Sequence, residues 1–284
     1  MKRNADSMIP KKIHYCWLSG EKLPKNVVKC METWKKALPD YEIALWDANK
    51  FDIHTIPFVA EAYGVRQWAF AADYIRLFAV YTEGGIYMDT DVIVRKSFND
   101  LLCYDFFSSL ERDLETVAPE SEYAKQLKEN VNETFINKAA VRLPGFGMQA
   151  AVFGGIAGHP FLKDCMNWYK DKRYILPNGN YRETTGQLAP DIYAAIAQKY
   201  GFKYKFGLQK LSENMVILPA EYFPNGTYKI DDAYAVHFCE NSWNTKKSRG
   251  LLKIIRILKY NKILRKILKK RPVPTIDDVI NYKE

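Results

Sequence analysis

Asp89 and Asp91 are the side chains in this sequence whose type and spacing most directly suggest chemistry. They end the run Gly84-Gly85-Ile86-Tyr87-Met88-Asp89-Thr90-Asp91, which continues into Val92-Ile93-Val94. A glycine pair opens a short apolar strand, and the strand delivers two carboxylates at spacing i, i+2. Alternate residues of extended backbone point to one side, so both carboxylates are expected to face one hard cation. Mg²⁺ or Mn²⁺ needs few protein ligands when phosphate oxygens complete its shell. A chain with seventeen aspartates contains about one Asp-x-Asp by chance, so the surroundings have to carry the reading.

Upstream, Trp68 to Tyr81 is apolar with helical periodicity and is ended by Glu83-Gly84-Gly85. Asp73 and Arg76 are its only charges before Glu83, and at i, i+3 they share one face. Two readings are open. The pair is a local ion pair on a solvated helix surface, or it faces the crevice beside the Asp pair. In the second case Asp73 accepts from sugar hydroxyls and Arg76 binds sugar or phosphate oxygens.

Ala71-x-Asp73-x-x-Arg76 followed by Gly84-Gly85-x-Tyr87-x-Asp89-x-Asp91 resembles the sugar-binding region of glycosyltransferase family 32. That family includes fungal enzymes and bacterial enzymes of capsular polysaccharide synthesis, and is distantly related to the large clostridial glucosylating toxins. The opening Ile9 to Gly20, and Trp34 followed by Tyr41 to Asp47, resemble the start of the same family. The clear likeness covers about residues 8–100, with weaker likeness at Gly154 to Leu162 and His237 to Trp243. The resemblance implies a GT-A fold built around a central mixed sheet flanked by helices, a nucleotide-activated donor such as a UDP-sugar, and retention at the anomeric carbon. It also implies bacterial surface polysaccharide synthesis as the setting. It makes Asp73, Arg76 and Asp91 the catalytic residues, and Trp17, Asp73, Arg76, Tyr87, Asp89 and Trp243 the donor-binding ones, with Trp17 stacking on uracil. The ion, Mn²⁺ or Mg²⁺, falls to Asp89 and Asp91. Imidazole suits Mn²⁺ as a further ligand, so His237 is the expected third, with Glu240 or Ser242 as alternatives.

The elements that must position these residues alternate. Strands are expected at Lys12 to Leu18, Tyr41 to Trp46, Ile86 to Met88, Ala150 to Gly155 and Tyr234 to Cys239. Helices are expected at Val27 to Ala37, Ile56 to Gly64 and Ala69 to Tyr81, then from Gly158 and within Gly186 to Tyr200. This succession predicts an α/β domain with a mostly parallel central sheet and ligands at its carboxyl edge. The polar stretch 112–137 reads as a surface insertion, and Thr184 to Gln187 as a polar turn near the acceptor. His14, out of phase with Trp17, reads as structural, and His159 as a helix-start residue. A hydrophobic share of 48% can fill a sizeable core, and 14% aromatic residues suit a cleft for sugar and nucleobase. Five scattered cysteines without a Cys-x-x-Cys predict reduced thiols and a cytoplasmic setting. No long uncharged apolar run and no apolar leader are seen, so neither a membrane span nor a secretory signal is expected.

The charge is uneven. Lys246 to Arg271 holds twelve Lys or Arg and no acid, and without them the 42 bases become 30 against 33 acids. Leu251, Ile254, Ile255, Leu258, Leu264, Ile267 and Leu268 recur there at helical spacing. The chain therefore divides into a catalytic domain over 1–245 and a basic amphipathic tail over 246–284. Such a helix suits an anionic membrane surface, which would hold the protein peripherally at the inner face. Packing on the domain is the plainer alternative. Nucleic acid is not expected, because Tyr260 is the tail's one stacking ring and the rest is mildly acidic. The alternatives to a sugar transferase are a metal-dependent nucleotidyl- or phosphotransferase and a non-catalytic membrane-binding protein.

Overall fold

A computed structural model describes residues 8–111, 147–182, 188–225 and 232–238. The expected insertion at 112–137, the turn Thr184 to Gln187, Cys239 and the basic tail lie outside the described residues.

Ten strands and five α-helices are described. The strands are β1 (Lys12–Cys16), β2 (Glu42–Trp46), β3 (Gly85–Met88), β4 (Val92–Val94), β5 (Phe106–Glu111), β6 (Gly147–Met148), β7 (Val152–Gly155), β8 (Gln209–Lys210), β9 (Met215–Leu218) and β10 (Ala235–His237). The helices are α1 (Lys25–Ala37), α2 (Pro57–Gly64), α3 (Trp68–Glu83), α4 (Pro160–Lys170) and α5 (Ala189–Ala197). The central sheet runs β2-β1-β3-β7-β5-β9-β8, with β6 paired to β5.

The central sheet is mixed and flanked by helices, as the expected architecture has it, although the succession of strands and helices alone suggests a mostly parallel one. β1 is parallel to β2 and β3, and β5 to β9, but β7 runs against both β3 and β5, and β8 against β9. Helices flank this mixed sheet, which makes the architecture α/β. β1, β2, β3, β5 and β9 still point the same way, so their carboxyl ends share one edge with the start of β7. That common edge is where an α/β sheet offers its ligand crevice.

Strand parity sorts the core. Tyr87, Phe106 and Phe153 face a cluster built on α2, α3, α4 and α5, whereas Ile86, Met88, Phe107 and Val152 face one built on Trp34, Phe98 and Phe223. Burial on both faces explains the near-continuous apolar strands. Helix α3 is buried from Phe70 to Leu77 without a gap, because α2, α4 and α5 pack around the face it turns away from the sheet.

The glycine pair has a steric cause. Gly84 caps α3 at φ +64°, and Gly85 starts β3 at φ +114°. A Cβ on Gly85 would lie 2.6 Å from the Lys12 carbonyl oxygen, so only glycine allows β3 so close to β1. His14 locks the same junction. Its Nδ1 accepts from Trp46 Nε1 at 2.9 Å, so Nε2 carries the proton and donates to the Gly84 carbonyl at 2.7 Å. Burial lowers its pKa, and it is the structural histidine that parity suggests. His159 likewise caps α4, accepting from the Phe161 amide. Among the described residues, no helix is long and apolar enough to cross a membrane, and Cys16, Cys30, Cys103 and Cys165 form no disulfide.

Candidate active site

Asp89 and Asp91 do not lie in extended strand. β3 ends at Met88, and Asp89-Thr90-Asp91 forms a tight turn, with the Val92 amide donating to the Asp89 carbonyl at 3.1 Å. Strand alternation is therefore not what aims the two carboxylates. The turn leads into β4, which leaves the central sheet and pairs antiparallel with β10, setting Val92 opposite His237. Helix α1 fixes the other side of β4. Trp34 Nε1 donates to the Val92 carbonyl at 2.7 Å, and Thr33 Oγ1 accepts from the Val94 amide at 2.9 Å.

This pairing brings Asp89, Asp91 and His237 together. One carboxylate oxygen from each aspartate and one imidazole nitrogen lie within 4.8 Å of one another. His237 Nε2 is 3.3 Å from Asp91 Oδ1 and 3.9 Å from Asp89 Oδ2. Two carboxylates and an imidazole form a donor set that fits a divalent ion of the Mn²⁺ or Mg²⁺ kind, with the nitrogen favouring Mn²⁺. Asp91 is also tied in through its backbone, where its carbonyl accepts from the Phe238 amide.

The solvated reading of Asp73 and Arg76 is overturned. Arg76 is 5% exposed and Asp73 9%, because α3 is enclosed on every side. Arg76 Nη2 lies 3.1 Å from Asp73 Oδ1 and 3.5 Å from Asp89 Oδ1. Nη1 donates to the Ala150 carbonyl at 2.9 Å and Nε to the Ala72 carbonyl at 3.3 Å. The guanidinium also lies 4.8 Å above the Tyr87 ring, and the Tyr87 hydroxyl donates to Asp89 Oδ1 at 2.7 Å. Arg76 thus joins two acids, a ring and a strand-edge carbonyl in one buried network. Burial holds the Asp73 carboxyl well above the usual carboxylate range, outweighing the downward pull of the Arg76 guanidinium beside it. Tyr87, 1% exposed, meets the site through Asp89.

Trp17 follows the carboxyl end of β1 and donates from Nε1 to the Glu21 carbonyl at 2.6 Å. Since β1 is parallel to β3, this end lies on the same sheet edge as Asp89. Beside it, the Cys16 thiol is pushed up to about 12 by burial, so it is an inert neighbour of Tyr87 and Asp89. Trp243, Glu240 and Ser242 lie outside the described residues.

Sequence reasoning passed over Gln149. It is 2% exposed, and its amide is saturated: Nε2 donates to the Phe223 carbonyl and to Asn225 Oδ1, while Oε1 accepts from the Ala151 amide. The Ala151 carbonyl in turn accepts from the Asp89 amide at 2.9 Å. Gln149 therefore braces the Asp pair against the segment leading to β10. The available signal was a lone amide within the apolar run Met148 to Phe153. Tyr193 was missed too; its hydroxyl donates to the Asp73 carbonyl oxygen at 3.4 Å.

Residues 24–107 match the model of the glycosyltransferase sugar-binding region containing the DXD motif. Inositol phosphoceramide mannosyltransferase 3 of Schizosaccharomyces pombe is 32% identical over 105 residues, which cover 36% of this chain and 29% of that protein. The chain thus aligns with less than a third of that relative's length. An uncharacterized glycosyltransferase of Acanthamoeba polyphaga mimivirus is 24% identical over 269 residues, covering 90% of each chain. Among solved structures, the PaToxG glycosyltransferase is similar at a TM-score of 0.44 and 16% identity, over 69% of this chain and 71% of that one. Asp89, Asp91 and the Asp73–Arg76 pair all fall inside the matched segment, so residues 24–107 of this chain are similar to the glycosyltransferase sugar-binding region that contains the DXD motif.

Proposed function

We propose that the protein transfers a sugar from a UDP-sugar to a hydroxyl of a glycan or glycolipid acceptor, retaining the anomeric configuration, in bacterial surface polysaccharide synthesis. The observation that carries this reading is the Asp89, Asp91 and His237 cluster, whose ligand atoms lie within 4.8 Å of one another inside and opposite the sugar-binding region. An ion held there, Mn²⁺ or Mg²⁺, would supply positive charge against the departing diphosphate.

The chain's own residues do the rest. Arg76 holds Asp89 and Asp73 in fixed geometry, so the site's charges are set before the donor arrives. Asp73 accepts from hydroxyls of the transferred sugar, Arg76 adds positive charge beside it, and Trp17 and Trp243 flank the nucleotide. As the anomeric carbon parts from the diphosphate oxygen, which keeps the bonding electrons, the acceptor oxygen bonds the same face. Its proton passes to the departing phosphate. Asp73 is engaged by Arg76, which suits a sugar-orienting group better than a covalent nucleophile.

The division into a domain over 1–245 and a tail over 246–284 is part of the proposal. So is peripheral attachment of 246–271 to anionic lipid at the cytoplasmic face, where a lipid-linked acceptor would be met. A thermal-shift screen of UDP-, GDP- and CMP-sugars with and without Mn²⁺ tests the donor, and product mass tests the reaction. Acceptor gaining the mass of a sugar supports it. Acceptor gaining a phosphate or nucleotide would make the protein a phospho- or nucleotidyltransferase instead.

A further inference from the structure

One hydroxyl in the core is left without a partner. Tyr169, on α4, is 1% exposed, and among the described residues no group hydrogen-bonds its hydroxyl. A buried hydroxyl with no partner is costly, and phenylalanine would supply the same ring without that cost. Such a group calls for a state of the protein in which it is satisfied.

The packing of the ring places this hydroxyl beside α3. Tyr169 meets Phe58 of α2 edge to face at 5.0 Å and Tyr74 of α3 at 6.2 Å. Tyr74 directly follows Asp73, and α4 packs on both α3 and α5. From α5, the Tyr193 hydroxyl reaches the same turn of α3, donating to the Asp73 carbonyl. Burial pushes the Tyr169 phenol far up, and Asp73 is the first of the charges that act on it, ahead of Arg76.

Asp73, for its part, is short of donors. Its ion pair with Arg76, 3.1 Å from Oδ1, is the one attractive polar contact of its carboxylate among the described residues, and no hydroxyl or amide donates to it there. A carboxylate has room for about four donors. Two other polar groups lie around Tyr169, and neither competes well. Tyr193 spends its proton on the Asp73 carbonyl, and the Cys165 thiol is a weak acceptor. The strong acceptor within its surroundings is the Asp73 carboxylate.

We infer that Tyr169 is a positioning residue for Asp73, its hydroxyl donating to the Asp73 carboxylate once a hydroxyl of the donor sugar engages that carboxylate. The inference rests on the sugar-transfer reading. Arg76 then holds Asp73 from one side and Tyr169 from the core, so the carboxylate keeps one orientation while charge builds on the sugar ring. The test uses the full-length chain, its variants Tyr169→Phe and Asp73→Asn, and the double variant. Mn²⁺ is supplied with each of UDP-glucose, UDP-galactose, UDP-N-acetylglucosamine and GDP-mannose. Tyr169→Phe keeps the ring contacts and is expected to unfold at a urea concentration no lower than the parent. Its kcat for donor turnover is expected to fall roughly 10-fold, the loss of about one hydrogen bond to a charged group, with KM and calorimetric UDP affinity unchanged. In the Asp73→Asn background the same substitution is expected to change kcat by less than about twofold, because the charged acceptor through which it acts is gone. Three results overturn the positioning role: a Tyr169→Phe kcat equal to the parent's, an equal loss of kcat in both backgrounds, or unfolding at lower urea. The last would mean that the hydroxyl is already bonded in the empty protein. A parent that turns over none of the four donors would sink the transfer reading and this inference with it, whereas those three results in a working parent sink the positioning role alone.

Discussion

Asp89 divides its two carboxylate oxygens between two tasks. Oδ1 takes the Tyr87 hydroxyl and faces Arg76, while Oδ2 faces His237. Asp91 has no such support from Arg76, and its Oδ1 lies nearer the imidazole. Asp91→Asn is therefore expected to abolish Mn²⁺-dependent UDP binding and transfer while leaving the unfolding midpoint within about 0.5 kcal/mol of the parent. Calorimetric UDP titrations with and without Mn²⁺ check this, and normal turnover by the variant would remove Asp91 from the metal site. Arg76 behaves differently, because its loss strands the buried Asp73. Arg76→Ala is expected to cost about 3–5 kcal/mol in urea unfolding and to weaken Mn²⁺ affinity through Asp89. A variant as stable as the parent would contradict the buried network. The sequence shows these residues as a motif, yet it leaves Asp73 and Arg76 open between solvent and crevice. Helix α3 has an apolar surface all round, and spacing alone does not tell which side meets the sheet.

At the scale of elements, the glycine pair and His14 form a single junction between α3, β1 and β3. Gly85→Ala is expected to destabilise by about 2 kcal/mol or more, since φ +114° and a 2.6 Å approach to the Lys12 carbonyl both oppose a side chain. Urea unfolding of the variant measures this directly, and an unchanged midpoint would mean the close approach is not there. His14 gives a pH dependence with a definite sign. Its pKa is lowered in the folded state, so the unfolded chain takes up the proton first as acid is added. Its contribution is present above about pH 6.5 and is lost as pH falls below that value toward the folded pKa. His159 is shifted in the same direction by its own burial. Stability should fall on acidification through this range, with a shallower slope in His14→Gln. An unchanged slope would mean that His14 accepts a proton without cost.

For the whole molecule, charge separates a mildly acidic portion from a tail holding twelve bases between residues 246 and 271. If that tail lies on anionic lipid, a chain ending at Trp243 should retain donor hydrolysis in solution and lose co-sedimentation with phosphatidylserine vesicles. Each base near such a surface contributes about 1 kcal/mol, so binding of the full chain should weaken steeply with salt. Equal co-sedimentation of the two chains would return the tail to packing on the domain. The sequence by itself marked the residues proposed for donor chemistry, since Asp-x-Asp after a glycine pair, with Asp73-x-x-Arg76 one helix earlier, is a local pattern that survives without coordinates. Apolar periodicity, which is set by neighbours in the chain, also marked the five helices and β1, β2, β3, β7 and β10, but not β4, β5, β6, β8 or β9. Tertiary structure alone decided the rest. β7 enters antiparallel between β3 and β5, a choice made by long-range pairing. The turn at Asp89 and its β4–β10 pairing, not strand alternation, bring His237 to the two aspartates. Gln149 bonds residues more than seventy positions away, and no spacing in the sequence records that they meet.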